Sequence, residues 1–343
     1  MADQFASDNN AGMCPAALAA LTAANADGHA AAYGEDPWTE RACGLIRDLF
    51  EAPQASVHFV FNGTAANALA LAQLCRPYHA IIAHGAAHIA TDEAGAPGFF
   101  SGGGWLCTAD PPGAKLTPPV VERLAGAGRG VHHNRPRVLS LSQATELGTV
   151  YSVAEVAALT AAARAARLAV HMDGARFANA VARQDCSPAD LSWRAGVDVL
   201  SFGGVKNGLA AGEAVIFFDP VLACEFEWRV KQAGHLNAKM RLVTAPWCAL
   251  LSNDVWLDNA RHANAMARRL ADRIGTEAGL PIVYPVEANA VFVEMPTVLQ
   301  VAVRARGWRF YTFEGETVCR LMCAWDTRPE TVDRFVDDIA SAM

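Results

Sequence analysis

Between about residue 55 and residue 220, short apolar runs rich in strand-forming residues alternate with stretches typical of helices. Strands that are apolar throughout and are joined by crossover helices predict a mostly parallel sheet with both faces covered. This alternation therefore predicts an α/β core. The predicted strands are residues 57–61, 80–83, 137–142, 168–172, 197–202 and 214–218.

The pattern changes after Pro246. A long helical stretch at residues 250–277 precedes strand-like runs at 290–295, 308–313 and 318–325 and an amphipathic helix at 329–342. Strands with short gaps between them, flanked by helices, predict a smaller α+β unit. We therefore expect three parts: an N-terminal segment (1–14), a large α/β domain (15–248) and a small C-terminal α+β domain (249–343).

Composition excludes several classes of protein. The net charge is −7 and basic residues form no cluster, which argues against nucleic acid or an anionic membrane surface as partner. No apolar run approaches the 20 or so residues of a membrane span. The nine cysteines include no CxxC pair, and no zinc pattern is present, so we expect reduced thiols, no metal and a cytoplasmic protein.

Reactive side chains follow three of the predicted strands. Open α/β sheets bind ligands at the carboxyl ends of their strands. Gly63 and Thr64 follow the first of these strands and begin a helix, where backbone N–H groups can bind an anion. Asp173 follows the second strand, and Lys206, which has glycines on both sides, follows the third. Each has an alternative explanation when taken alone. Gly63 and Thr64 could form only a turn with a helix cap, Asp173 could be a helix cap or an ion-pair partner of Arg176, and Lys206 could be a surface lysine.

The combination is more informative than its members. Pyridoxal phosphate needs a phosphate site, an acid that keeps its pyridine nitrogen protonated, and an amine that forms a Schiff base. Burial would lower the pKa of the Lys206 amine and make it nucleophilic near neutral pH. The three strand ends therefore predict pyridoxal 5'-phosphate as the cofactor.

The chain also resembles a known family over residues 7–343. It is similar to the threonine aldolases, within the β-eliminating lyase superfamily of fold-type I, aspartate-aminotransferase-like pyridoxal-phosphate enzymes, and most of all to the low-specificity L-threonine and phenylserine aldolases. The motifs that carry the resemblance are Ser7-Asp8-Asn9, YGEDP at 33–37, NGTAAN at 62–67, Ala87-His88, HMDGAR at 171–176, SFGGVKNG at 201–208, Met240-Arg241 and Cys319-Arg320-Leu321.

The resemblance implies roles for individual residues. It implies that Lys206 carries the cofactor as a Schiff base, that Asp173 contacts the pyridine nitrogen and that His88 stacks on the ring. It also implies that Gly63, Thr64 and Arg241 bind the phosphate, with Arg241 acting either in its own subunit or from a neighbouring one. Ser7, Arg176 and Arg320 would bind the substrate carboxylate, because an arginine can donate paired hydrogen bonds to it. The N-terminal segment would thus contribute to the active site.

Two positions depart from the family pattern. Where many threonine aldolases have a histidine that contacts the substrate hydroxyl, this chain has Glu146. Three residues therefore remain candidates for the base that removes the β-hydroxyl proton: His88, Glu146 and His133. Val205 stands before the lysine where relatives often have a hydroxyl residue.

The resemblance implies retro-aldol cleavage of L-threonine or L-allo-threonine, and of related β-hydroxy-α-amino acids such as phenylserine, to glycine and an aldehyde. Alternatives are a phenylserine-preferring aldolase, a β-eliminating lyase or aminotransferase on the same fold, and a binding protein without turnover. The partner is then a small amino acid. A homodimer or homotetramer with active sites at the dimer interface is implied by the family alone.

Overall fold

The computed structural model describes residues 4–127 and 130–343. Its centre is a seven-stranded sheet with the order β1-β7-β6-β5-β4-β2-β3. The strands are β1 (Ser56–Val60), β2 (His79–His84), β3 (Trp105–Ala109), β4 (Arg135–Ser142), β5 (Ala169–Gly174), β6 (Val199–Phe202) and β7 (Glu213–Phe217). All six predicted strands are present, with ends that differ by at most two residues, while the edge strand β3 was not predicted.

The direction of the strands decides which residues meet at each edge of the sheet. The pairs β3–β2, β2–β4, β4–β5 and β5–β6 are parallel, whereas β7 runs antiparallel to both β6 and β1. Six strands therefore end at one edge, and β7 begins there. The register sets Ser142 beside Asp173, Asp173 beside Ser201, and Glu213 beside Val60.

Helices cover both faces of this sheet. In the large unit they are α1 (Pro15–Ala26), α2 (Pro37–Leu49), α3 (Gly63–Leu74), α4 (His88–Thr91), α5 (Ala96–Phe100), α6 (Pro118–Ala125), α7 (Val153–Ala165), α8 (Phe177–Gln184), α9 (Phe226–Gln232) and α10 (Arg241–Leu250). One apolar core joins one face of the sheet to α2, α6, α7, α8 and α10, and another joins the opposite face to α3 and α9. Burial on both faces explains why the strands are apolar throughout.

A three-stranded antiparallel sheet forms the second unit, in the order β8-β10-β9. Its elements are β8 (Ala290–Glu294), β9 (Tyr311–Glu314), β10 (Val318–Met322), α11 (Val255–Arg273), α12 (Thr297–Ala305) and α13 (Pro329–Ala340). Val332, Phe335, Val336 and Ile339 of α13 are fully buried, as the three- and four-residue spacing of an amphipathic helix requires. The predicted α+β character of this unit is present.

The long helix α11 belongs to both cores. Trp256 and Ala260 near its start pack in the large core, whereas Ala267 and Leu270 pack in the small one. The predicted helix 250–277 is wrong at its beginning, because Asn253 and Asp254 adopt positive φ angles of 54° and 58° and separate α10 from α11. The domain boundary at 248/249 stays a prediction. Among the described residues, no helix has both the length and the apolar character needed to cross a membrane.

Candidate active site

A cavity of about 290 Å³ lies at the edge where the parallel strands end. Nine of the eleven residues predicted for the site line it. They are Ser7, Gly63, Thr64, His88, Glu146, Asp173, Arg176, Lys206 and Arg320. Residues that are far apart in the chain meet here because strand ends, helix starts, the N-terminal segment and β10 converge on one opening.

His133 and Arg241 do not line this cavity. His133 precedes β4, whereas Glu146 follows it, and eight strand residues at about 3.3 Å each separate the two ends. His133 lines a separate cavity with Tyr78 and Val131, so the prediction of His133 as a candidate base is wrong for this chain's own cavity. Arg241 begins α10 and donates from Nη2 to the Gly28 carbonyl oxygen at 3.0 Å.

Asp173 lies near the end of β5 and is buried. Its Oδ1 accepts a hydrogen bond from the Ala175 N–H at 3.0 Å, and its Oδ2 accepts one from Asn67 Nδ2 at 2.8 Å. The alternative explanation from sequence, an ion pair with Arg176, is wrong. Both carboxylate oxygens are instead held by neutral donors, which leaves the charge of Asp173 available to a ligand.

Lys206 follows β6 in a short 3-10 turn, Val205–Asn207. Burial lowers the pKa of its amine, and the nearby charge of Arg176 lowers it further. A lowered pKa increases the fraction of neutral amine, which is the nucleophilic form. The lysine is therefore a partly buried group that lines the cavity, and the alternative of a surface turn lysine is wrong.

The glycines before Lys206 are explained by close packing of the chain itself. A Cβ on Gly203 would lie 2.4 Å from the Ala175 carbonyl oxygen, and one on Gly204 would lie 2.6 Å from the Trp247 ring. Glycine at these positions lets the loop after β6 approach the loop after β5. That approach brings the Lys206 loop next to the Asp173 loop.

Glu213 joins the site from the antiparallel strand β7. Its side chain is buried, and Oε2 accepts hydrogen bonds from the N–H groups of Gly204 at 2.5 Å and Val205 at 3.5 Å. Burial raises the pKa of this carboxyl to about 7. The carboxyl thus holds the backbone directly before Lys206.

Arg176 pairs with Asp8 of the N-terminal segment. Its Nε and Nη2 donate to the two carboxylate oxygens at 2.7 and 2.9 Å, and Asn289 Nδ2 donates to Oδ2 at 3.0 Å. Burial acts to raise the pKa of Asp8, but the charge and hydrogen bonds of Arg176 outweigh it and bring the pKa down to about 2. The N-terminal segment is therefore attached to the cavity wall by a buried ion pair.

Arg320 reaches the cavity from β10. Its guanidinium lies 5.3 Å from the centre of the Phe313 ring and 5.9 Å from that of Tyr311. Its Nε is buried and donates to no acceptor in the described part of the chain. Burial lowers the pKa of this arginine, and the charge of Arg176 adds to the effect. A partly buried cation that has no carboxylate partner among the described residues predicts an anionic ligand.

Glu146 lies beside His88 on another wall. Its Oε1 accepts hydrogen bonds from the His88 N–H at 2.9 Å and from Ser142 Oγ at 3.0 Å. Its Oε2 is buried and has no hydrogen-bond partner among the residues that the structure describes. Burial raises the pKa of Glu146, and the charge of Asp173 raises it further. This carboxyl can accept or donate a proton at Oε2.

Sequence reasoning missed four buried polar residues of the site: Asp8, Asn67, Glu93 and Glu213. Asp8 and Asn67 lie inside motifs that carry the family resemblance, so their motif positions were a usable signal. Glu213 could have been found as the charged first residue of an apolar strand. Glu93 gave no signal, because it lies in a loop between two short helices.

Comparisons with known proteins agree with this geometry. The family model described as beta-eliminating lyase matches residues 4–297. The low specificity L-threonine aldolase of Pseudomonas aeruginosa is 52% identical over 340 residues, which cover 99% of this chain and 98% of that protein. The solved threonine aldolase of Leishmania major has a TM-score of 0.93 at 30% identity and 98% coverage of both chains.

A more distant match concerns the fold alone. Serine palmitoyltransferase from S. paucimobilis, solved with pyridoxal phosphate and myriocin bound, has a TM-score of 0.75 at 14% identity, with 99% of this chain and 87% of that chain covered. The predicted fold-type I architecture is confirmed. The chain belongs to the beta-eliminating lyase family, and within it to the low-specificity L-threonine aldolases.

Proposed function

We propose that this chain is a pyridoxal-phosphate-dependent aldolase that cleaves L-threonine and L-allo-threonine to glycine and acetaldehyde. One observation carries the proposal: the Lys206 amine, the Asp173 carboxylate and the start of α3 line the same cavity. These are the amine, the acid and the anion site that the cofactor requires. The names of the relatives support the choice of reaction.

The residues present fit the cofactor. Asn62 caps α3 by accepting the Ala65 N–H at 2.9 Å, which leaves the preceding N–H groups of Gly63 and Thr64 for a phosphate. A Cβ on Gly63 would meet no atom within 4 Å, so the helix start is open to a ligand. Buried atoms that have no partner in the described chain, including Glu146 Oε2 and Arg320 Nε, supply further polar contacts.

In this proposal Lys206 would hold the cofactor covalently, Asp173 would bind its ring nitrogen and His88 would pack on its ring. When bound, the cofactor withdraws electrons from the carbon beside the substrate amino group, which weakens the Cα–Cβ bond. Asp173 supports this by holding a negative charge in a buried position with both oxygens fixed by hydrogen bonds. The chain's own contribution is therefore a prearranged negative charge in the same cavity as the Lys206 amine.

Substrate orientation is assigned to Arg320, with Ser7 beside it. The unpaired Nε of Arg320 suits one oxygen of the substrate carboxylate. Arg176 is the third predicted ligand, but two of its nitrogens already bind Asp8. We therefore propose that Arg176 contributes less to binding the substrate carboxylate than the resemblance implies. Its main role would be to hold the N-terminal segment through Asp8.

We assign to Glu146 the role of the base that removes the proton from the substrate β-hydroxyl. Its Oε2 is directed to no other group of the described chain, while Oε1 is fixed by His88 N–H and Ser142. A carboxylate held this way can take a proton at one oxygen without moving. His88 is the remaining alternative, because its side chain also lines the cavity.

An assay of purified protein with L-threonine, L-allo-threonine and phenylserine tests the proposal. We expect glycine with acetaldehyde from the first two, and the ratio of kcat/KM values identifies the preferred aldehyde. Ammonia and a keto acid as the main products would instead identify a β-eliminating lyase or an aminotransferase. Bound cofactor without turnover on any of the three would identify a binding protein.

The assembly and the compartment are part of the same proposal. We propose a cytoplasmic homodimer or homotetramer in which Arg241 reaches the phosphate site of a neighbouring subunit. Arg241 has a buried Nε without a partner in the described chain, and all nine cysteines are free thiols, as is usual in a reducing compartment. Light scattering gives the mass, and an Arg241→Ala variant that binds cofactor as tightly as the parent would remove this assignment.

A further inference from the structure

Four side chains form a continuous hydrogen-bonded chain along one wall of the cavity. His88 Nδ1 lies 2.8 Å from Glu93 Oε1, and Asn67 Nδ2 donates to that same oxygen at 2.8 Å. The Asn67 amide also donates to Asp173 Oδ2 at 2.8 Å. Glu93 thus lies at the centre of an arrangement that connects the proposed ring-stacking residue with the proposed acid at the ring nitrogen.

We propose that Glu93 is a positioning residue, which fixes the ring orientation and the protonated nitrogen of His88 and, through Asn67, the rotamer of Asp173. This inference rests on the proposed function, because His88 and Asp173 are assigned to the cofactor there. Glu93 lines no part of the cavity surface and acts only through its two neighbours.

His88 and Glu93 differ in their exposure to solvent. The His88 side chain is 34% exposed, whereas that of Glu93 has no exposure. A half-exposed imidazole without a fixed partner would rotate among several positions. The buried carboxylate removes that freedom, because its Oε1 accepts from His88 on one side and from Asn67 on the other. The imidazole is therefore held at Nδ1, and Nε2 remains available for proton transfer.

The charges around His88 agree with this arrangement. The hydrogen bond that His88 donates to Glu93 raises the pKa of His88, and burial opposes this effect. The charge of Asp173 raises the same pKa, whereas the charge of Lys206 lowers it. Asp92 lies 3.7 Å from Nε2 but is 82% exposed, and Glu146 accepts the backbone N–H of His88. Among the residues that the structure describes, Glu93 is thus the one fully buried carboxylate that forms an ion pair with the imidazole ring.

A bound cation is the main competing explanation. Ligand atoms of His88, Glu93 and Asp173 lie within 4.8 Å of one another, which is compatible with a metal ion. Glu93 Oε1, however, already accepts hydrogen bonds from both His88 Nδ1 and Asn67 Nδ2, so the contact between the histidine and the carboxyl is a hydrogen bond, and Oε2 is the Glu93 oxygen that has no partner in the described chain. The geometry therefore favours a proton-bearing network over a metal site.

Glu93→Gln and Glu93→Ala test the proposal, with Asp92→Asn as a matched variant that removes an exposed charge from the same histidine. The His88 pKa is measured by NMR on protein with labelled histidines, with and without excess pyridoxal phosphate, and kcat and KM for L-threonine are measured in parallel. We expect Glu93→Gln to lower the His88 pKa by more than Asp92→Asn does. We also expect Glu93→Gln to lower kcat about 10- to 100-fold and to change KM much less. Glu93→Ala should lower kcat more than Glu93→Gln does.

Three results would overturn the inference. The first is a His88 pKa that Glu93→Gln leaves unchanged. The second is a Glu93→Gln variant that loses only thermal stability while kcat and pKa are retained. The third is micromolar zinc binding that perturbs the His88 signal in the parent and is lost in the variant. Because the titration needs no turnover, a parent protein without aldolase activity would disprove the proposed function and leave the Glu93–His88 coupling testable.

Discussion

Replacing Asp8 with asparagine should detach the N-terminal segment from the cavity wall at a measurable energetic cost. The pKa of the buried Asp8 carboxyl is about 2, against an ordinary value of 3.8. At 1.36 kcal/mol per pKa unit, this difference corresponds to about 2.5 kcal/mol of stability at neutral pH. The substitution also leaves Arg176, whose side chain is only 17% exposed, without its counter-charge, which adds to the cost.

A thermal melt measures this cost. Unfolding entropy of about 2.1 cal/mol/K per residue gives roughly 0.7 kcal/mol/K for the 343 residues. A loss of about 2.5 kcal/mol then lowers Tm by about 3 to 4 °C at pH 7. The Asp8 pKa is depressed in the folded state, so the stabilisation is present above pH 3.8 and is lost as the pH falls towards 2. The difference in Tm between the parent protein and Asp8→Asn should therefore disappear as the pH falls from 3.8 towards 2.

A double-mutant cycle with Arg176→Met separates the ion pair from other effects of the substitution. In the Arg176→Met background, Asp8→Asn should cost much less, because no buried cation remains for Asp8 to neutralise. Equal losses of Tm in both backgrounds would refute the reasoning. So would a Tm for Asp8→Asn within 1 °C of the parent protein at pH 7.

Four further predictions concern the loop that carries Lys206 and the residue assigned to the β-hydroxyl. Lys206→Ala should abolish the visible absorbance of bound cofactor, and persistence of that band would assign the cofactor to another lysine. Glu213→Gln should change the pH dependence of stability, because the pKa of this carboxyl rises from 4.5 to about 7 on folding. The parent protein should therefore lose about 3 kcal/mol of stability as the pH rises through that interval, whereas the variant should not. Thermal melts between pH 4.5 and 8 check this. Gly203→Ala should destabilise the protein by about 1 to 3 kcal/mol, because the new Cβ meets the Ala175 backbone. The control Gly44→Ala, in the middle of α2 where a Cβ meets no atom within 4 Å, should not destabilise it. Urea titrations of both variants check this. Glu146→Gln should reduce kcat for L-threonine about 100-fold or more with little change in cofactor affinity, and a parent-like kcat would transfer the role to His88.

The strand ends were the part of the site that the sequence could predict. Parallel strands end at one edge of a sheet, so residues that follow strands at 61, 172 and 202 had to approach one another. Lys206, Asp173 and Thr64 meet in one cavity for this reason. His133 was placed wrongly because a residue before a strand and one after it lie at opposite edges, although both are near in sequence.

The polar contacts between those side chains could not be predicted in the same way. Glu213 enters the site because β7 runs antiparallel and so begins where its neighbours end. The direction of an edge-adjacent strand depends on the whole sheet order, which local patterns do not give. Glu93 depends on the rotamers of His88 and Asn67, and those are set by packing rather than by spacing in the chain.

The N-terminal segment shows why the site needs both cores. Phe5 is buried in the small core, where its N–H donates to the Arg309 carbonyl oxygen and its own carbonyl accepts from the Met322 N–H. Three residues later, Asp8 binds Arg176 at the start of α8 in the large unit. Any relative movement of the two cores would therefore strain this buried ion pair, and Arg320 on β10 would move with the small core. The position of the carboxylate-binding arginine is thus coupled to the Asp8–Arg176 pair, so Asp8→Asn should raise KM for L-threonine as well as lower Tm.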